Sequence, residues 1–270
     1  MAAEPRSTVV RGGEIPSSTT GVAIRNVRKA YETRSGTVEA LRNVNLDIAP
    51  GEFVAFVGPS GCGKSTLLHI VAGLIEMSQG GVTVGTTPAS AGRRDVGIML
   101  QKAVLLPWRT VLSNVLMPIE IQKRDDAVAR QRAIELLEVM GIAEFTNKHV
   151  WELSGGMRQR ASLAQALVTD PSILLMDEPF SAVDEFTRER LNVEVARLHA
   201  VRGRTTLYVT HNITEAVFLA DRVVVMKPRP GEIDEIVDID LPRPRTGEVL
   251  ELDHTADLVT RIRRMIGKHV

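Results

Sequence analysis

The sequence predicts an α/β fold built on a mostly parallel sheet, with a helical block inserted into it. Two observations carry this. First, "EFVAFVG" (52–58), "VGIML" (96–100), "SILLMD" (172–177), "TTLYVTH" (205–211) and "RVVVMKP" (222–228) are short runs dense in apolar residues, as strands buried on both faces are. Second, helix-period segments fall between them, and alternation of strand and helix implies a parallel sheet.

Taken in order, "VAIRNVRKAY" (22–31) and "LRNVNLDI" (41–48) alternate like half-exposed strands. The strand at 52–58 runs into a glycine loop and then "KSTLLHIVAG", a helix with Gly73 at its C-terminal cap. From about 110 to 168 the signal is helical. "DDAVARQRAIELLEVMG" (125–141) sets Val128, Ile134, Leu137 and Met140 on a stripe that Gly141 ends. "GMRQRASLAQALV" (156–168) sets Met157, Ala161, Ala164 and Val168 on one face. Helices are expected at about 186–200 and 213–220, and "TADLVTRIRRMIG" (255–267) predicts a terminal helix. The segments divide as a flexible tail over 1–21, a main domain over 22–240 with its helical block at about 103–168, and a C-terminal extension over 241–270.

The chain has 270 residues, 44% hydrophobic and 24% charged, an ordinary globular composition. Lys plus Arg (33) equals Asp plus Glu (33), without the basic surplus of a general nucleic-acid binder. The single cysteine, Cys62, excludes an internal disulfide and a Cys-cluster metal site. No stretch approaches the roughly 20 apolar residues that cross a bilayer. The opening "MAAEPRSTVVRGGEIPSSTT" lacks the apolar core of a secretory signal. Work at a membrane would need a partner to hold the protein there.

"GPSGCGKST" (58–66) fits G-x-x-x-x-G-K-[ST] between a strand and a helix, the context a phosphate loop requires. Glycines let backbone N–H groups face phosphates, Lys64 adds a point charge, and Ser65 offers an oxygen to Mg²⁺. Cys62 reads as a small loop residue. In "ILLMDEP" (173–179) a buried strand delivers Asp177 to its C-terminal end, where such sheets place ligands. Asp177 would hold Mg²⁺, and Glu178, one residue on, is placed to polarise a water for attack on the γ-phosphate. His211 and Gln101 each follow a strand, as a phosphate contact and as a ligand to the metal or water. Tyr31 is an ordinary exposed aromatic or a platform for a base. "LSGGMRQR" (153–160) puts a hydroxyl and two glycines before a helix start, half a phosphate site with no lysine or metal ligand of its own.

These residues occur in the order found in ABC transporter ATPases, and the resemblance covers about 22–230. "LLPWRTVLSNV" (105–115) and "MKPRPGEI" (226–233) look more narrowly like the importer ATPases for nitrate, sulfonates and taurine. The resemblance implies a P-loop NTPase core with an N-terminal antiparallel β subdomain and an inserted α-helical subdomain. It implies ATP and Mg²⁺ as cofactors, with Gly58, Pro59, Ser60, Gly61, Cys62, Gly63, Lys64, Ser65 and Thr66 as the phosphate cradle and Tyr31 stacked on adenine. It implies Glu178 as base, His211 as switch, and Gln101 as sensor of the γ-phosphate and metal contact. Two subunits would meet head to tail, Ser154, Gly155 and Gly156 of one closing over the nucleotide of the other, with Asp184 of "SAVD" ending the loop between the sites. Permease subunits are the implied membrane partners, with an extracytoplasmic solute-binding protein acting indirectly, at the cytoplasmic face of the plasma membrane. "SAVD" has Val183 where Leu is usual, and Gln165 stands where Arg is common, which puts one contact in doubt. A soluble ABC-type ATPase outside transport is the alternative; it predicts a coiled-coil insertion or tandem units, and neither is found. A GTPase is disfavoured because "NKHV" (147–150) lacks the Asp of the guanine motif.

Overall fold

A computed structural model of the chain describes residues 20–34, 36–124, 127–181 and 183–269. Residues 1–19 of the expected tail, Asp125 and Asp126 at the start of the expected helix, and Ala182 of "SAVD" lie outside these. The described chain begins with β1 (Val22–Thr33) and β2 (Gly36–Ile48), an antiparallel hairpin longer than its apolar cores. β3 (Phe53–Val57) is buried throughout and leads through the glycine loop into α1 (Lys64–Val71). β4 (Gln79–Val84) returns to pair antiparallel with β1, and β5 (Thr87–Pro88) adds to its free side.

After β6 (Val96–Met99) come α2 (Val111–Ile121), α3 (Ala127–Val139) and α4 (Gly155–Leu167). Then follow β7 (Ile173–Asp177), α5 (Glu185–Arg202), β8 (Thr205–Val209), α6 (Ile213–Leu219) and β9 (Arg222–Lys227). The described chain closes with β10 (Glu232–Asp238) and α7 (Asp253–Gly267). The larger sheet runs β10-β9-β3-β8-β7-β6, parallel except where β10 pairs with β9. The smaller, antiparallel sheet runs β2-β1-β4-β5. The expected fold class is therefore the observed one.

Two apolar clusters sit on either side of the large sheet. One joins α1 to the small sheet; the other joins the helical block, α5, α6 and α7. One expected core position is wrong: Val128 is 63% exposed. Its helix instead buries Ala129, Ala133, Leu136 and Leu137, with Met140 just beyond. Val128 lies nine residues before Leu137, and nine steps of about 100° put it on the opposite side of the helix.

The chain past residue 240 is bound into this frame. Leu258, Ile262 and Met265 of α7 are buried in the same cluster as α6. Arg245 is buried, and its Nη1 donates to the carbonyls of Val217 (3.2 Å), Phe218 (3.0 Å) and Ala220 (2.6 Å), which the end of α6 leaves without helical partners. Burial and the neighbouring Arg243 push its pKa down to about 10.

Candidate functional site

The phosphate loop hangs between β3 and α1, and its shape depends on glycine at two points. Gly58 has φ +153° and a Cβ there would lie 2.4 Å from the Met226 carbonyl; Gly63 has φ +91° and a Cβ there would lie 2.9 Å from the Ala40 carbonyl. No other residue fits either position without backbone movement. Lys64 Nζ folds back into the loop, donating to the carbonyls of Gly58 (2.9 Å) and Pro59 (3.0 Å), 3.5 Å from Cys62 Sγ. Cys62 is wholly buried, a structural member of the loop.

Ser65, at the start of α1, donates from Oγ to Asp177 Oδ1 at 2.8 Å. Asp177 is 4% exposed at the end of β7. Burial raises its pKa above the ordinary 3.8, opposed by the Ser65 hydrogen bond and by His69 and Lys64. A buried carboxylate at a charge disadvantage beside a hydroxyl is an oxygen donor set suited to a hard cation. Among the described residues no group of three or more His, Cys, Asp or Glu could hold a metal. Mg²⁺ fits this sparse set, since it is usually bound by one or two carboxylates plus substrate phosphates and waters. His69, missed in the sequence, sets Nε2 3.7 Å from Asp177 Oδ2.

Glu178 follows directly and turns its backbone to φ +43°, a conformation sparsely used by non-glycine residues. Its N–H donates to the Val209 carbonyl at 2.9 Å, which fixes the turn. Its Oε2 is approached by Gln101 Nε2 at 3.2 Å and His211 Nδ1 at 3.3 Å. Gln101, Glu178 and His211 thus follow β6, β7 and β8, three adjacent parallel strands, and converge at their carboxyl ends. Buried Gln159, from "LSGGMRQR", donates to the Gln101 carbonyl at 3.0 Å and steadies that segment. Its place on the inner face of α4, four residues before buried Leu163, is the signal that could have found it.

The remaining expected residues lie elsewhere. Ser154 caps α4, its Oγ accepting from the Met157 N–H at 3.3 Å, and Gly155 has open space around its Cα. Asp184 caps α5, accepting from the Thr187 N–H at 3.0 Å, and that bond lowers its pKa. Gly156 sits against Val183, whose Cγ1 would be 3.3 Å from a Cβ there. Among the described residues, no hydrogen bond or ion pair joins Ser154, Gly155 or Gly156 to Gly58–Thr66. Within one chain, then, these three residues do not bond to the phosphate loop, although Gln159 of the same stretch reaches the site through Gln101. Tyr31 is half-buried on β1, with Lys29 Nζ 4.7 Å over its ring. In "LLPW" (105–108), Leu105 belongs to the core, whereas Trp108 is 70% exposed.

Comparison with known proteins gives a consistent picture. Residues 41–181 match the family model described as ABC transporter. The chain is 41% identical over 228 residues to an uncharacterized ABC transporter ATP-binding protein of Methanocaldococcus jannaschii, covering 84% of this chain and 85% of that one. It is 39% identical over 246 residues to a taurine import ATP-binding protein of Jannaschia sp., covering 86% and 92%. It is 38% identical over 224 residues to an aliphatic sulfonates import ATP-binding protein of Bacillus thuringiensis subsp. konkukian, covering 83% and 88%. A bacterial ABC transporter cassette solved as a dimer superposes with a TM-score of 0.75 at 34% identity, over 81% of this chain and 98% of that one. A post-hydrolysis state of that cassette, bound to ADP and Pi, superposes with a TM-score of 0.73.

Proposed function

Because the chain belongs to the ABC transporter family and is one of its ATP-binding ATPases, we propose that it is the motor subunit of an importer. Two copies dimerise head to tail around two ATP molecules and drive uptake of a small solute such as nitrate, a sulfonate or taurine. Relatives named for taurine and aliphatic sulfonate import support the solute class, and the dimeric cassette supports the assembly. Integral permease subunits hold the protein at the cytoplasmic face of the plasma membrane, and an extracytoplasmic solute-binding protein delivers the solute. Among the described residues no helix is long and apolar enough to cross a membrane, which fits a peripheral subunit.

The observation that carries the reading is the Glu178 carboxylate, held between Gln101 and His211 one residue from the buried Asp177–Ser65 pair. In the proposed reaction Lys64 leaves the Gly58 and Pro59 carbonyls to meet the β- and γ-phosphates. Glu178 accepts a proton from the water as the water oxygen bonds to the γ-phosphorus and the bond to the bridging oxygen breaks, releasing ADP and phosphate; His211 would contact the γ-phosphate. Mg²⁺ held by Ser65 and Asp177 would offset charge on the phosphate oxygens. Ser154, Gly155 and Gly156 of the second copy supply hydrogen-bond donors from a helix start.

Glu178→Gln keeps the size and loses the base. Turnover is expected to fall by roughly 10²–10⁴, the range for a lost general base. ATP affinity should remain, and an ATP-bound dimer should accumulate on size exclusion. Near-normal hydrolysis by this variant would remove Glu178 from the role.

A further inference from the structure

His211 is clamped by the residues on both sides of it. Asn212 caps α6, its side chain accepting the Glu215 N–H at 3.1 Å. The Asn212 N–H goes to the Thr210 hydroxyl at 3.0 Å, and that hydroxyl donates to Glu215 Oε2 at 2.7 Å. In an ordinary capping box the third helical residue reaches back to the N-cap N–H itself. Here the Thr210 hydroxyl stands between them, so the loop bearing His211 is tied to Glu215 from before and after. Both anchors are buried: Thr210 is 3% and Glu215 6% exposed. Tyr208, fully buried and so held protonated, donates to the same Oε2 at 3.3 Å.

The other oxygen of Glu215 meets a second partner. Its Oε1 lies 3.5 Å from Arg188 Nε, and Arg188 Nη2 donates to the Val183 carbonyl at 3.0 Å. Val183 is the residue packed against Gly156. A cavity of about 10 Å³, roughly the room one water needs, has Glu178, Arg188, His211 and Glu215 in its wall. Asn212 already caps α6, so the cap does not require the Glu215 carboxylate. Glu215 is a buried carboxylate whose only cationic partner among the described residues, Arg188, is itself a quarter exposed; its desolvation cost is offset only by good geometry, which points to a use for the geometry.

We propose that Glu215 is a positioning residue for ATP hydrolysis: through Thr210 it sets the approach of His211 to Glu178, and through Arg188 it ties that approach to the Val183–Asp184 turn. The inference rests on the roles given above to Glu178 and His211.

The test uses the full-length protein. Thr210→Val removes only the relaying hydroxyl and is expected to lower kcat by about tenfold to a hundredfold, the scale of a misplaced catalytic group. KM for ATP should change less than about twofold, as when ground-state binding is untouched. Thr210→Ser restores the hydroxyl and should restore kcat. Glu215→Gln is the second arm and should show the same split. In a His211→Ala background, followed by single-turnover hydrolysis of labelled ATP, neither substitution should cost anything further. The imidazole NMR resonances of His211 should shift in Thr210→Val and return in Thr210→Ser. Equal losses in both backgrounds, or unchanged hydrolysis in Thr210→Val while His211→Ala is inactive, would overturn the inference alone. Normal hydrolysis by His211→Ala would instead bring down the reading of the site on which it rests.

Discussion

Asp177 shows how one residue can oppose folding while serving the site. Burial raises its pKa above 3.8, so the folded chain binds that proton more tightly than the unfolded chain does. Stability from this group therefore falls as pH rises through the window above 3.8, and at neutral pH the folded state carries an ionised acid at a disadvantage. Asp177→Asn keeps an acceptor for Ser65 and removes the charge. Its melting temperature at pH 7 without nucleotide or Mg²⁺ should exceed the native one, by about 2–4 °C per kcal/mol recovered. The gain should vanish as pH approaches 3.8, and hydrolysis should be lost. A lower melting temperature at pH 7 would mean that the charge is satisfied as it stands. Asp177, Glu178, Gln101 and His211 were legible because each follows an apolar strand. Their convergence was legible only through the family resemblance, because strand order is absent from a linear pattern. Thr210, Arg188 and Glu215 were invisible for another reason: a glutamate three residues after an asparagine reads as an ordinary helix start, and nothing local shows that its carboxylate turns toward Thr210.

At the scale of elements, the turn after Gln101 sends the apolar side chains of "LLPW" (105–108) in two directions. Buried Asn114 holds it from below, accepting the Leu106 N–H at 2.7 Å and donating to the Leu106 carbonyl at 3.0 Å. Leu105 packs inward and Trp108 is presented outward. Leu105→Ala should cost about 2–5 kcal/mol in denaturant unfolding. Trp108→Ala should leave the free subunit within about 0.5 kcal/mol of the native stability. An exposed indole is the kind of side chain that anchors an interface, so in reconstituted vesicles Trp108→Ala should lower solute uptake far more than ATP hydrolysis. Unfolding of the free Trp108→Ala subunit would make it a core residue. The apolar strands were readable from density alone. β4, "QGGVTV", and β10, "EIDEIVD", were passed over because each keeps one face wet and carries glycines or acids. Pairing with a neighbour, rather than apolar density, makes them strands.

For the whole molecule, Ser154, Gly155 and Gly156 make no bond to their own chain's phosphate loop among the described residues, and with the proposed head-to-tail dimer this predicts complementation. Ser154→Arg should bind ATP as monomer yet not hydrolyse it, and Lys64→Ala should fail to bind. Mixed, the two should form dimers with one intact composite site and regain measurable hydrolysis. Loss of ATP binding by Ser154→Arg alone would mean that the signature serves its own nucleotide. The parallel sheet and helical insertion were legible because period and alternation are global signals that survive local misreadings such as Val128. What they concealed is how firmly the chain past residue 240 is bound to α6. That brace has a consequence for synthesis. Ribosomes release a chain from its amino end, so everything up to α6 emerges before Arg245 and α7 do. During that interval the α6 carbonyls lack Arg245, and the apolar seat of Leu258, Ile262 and Met265 stays open. A chain stalled there would offer chaperones and proteases the very surface that completed molecules hide, and incomplete copies would be sorted from finished ones before either met a partner.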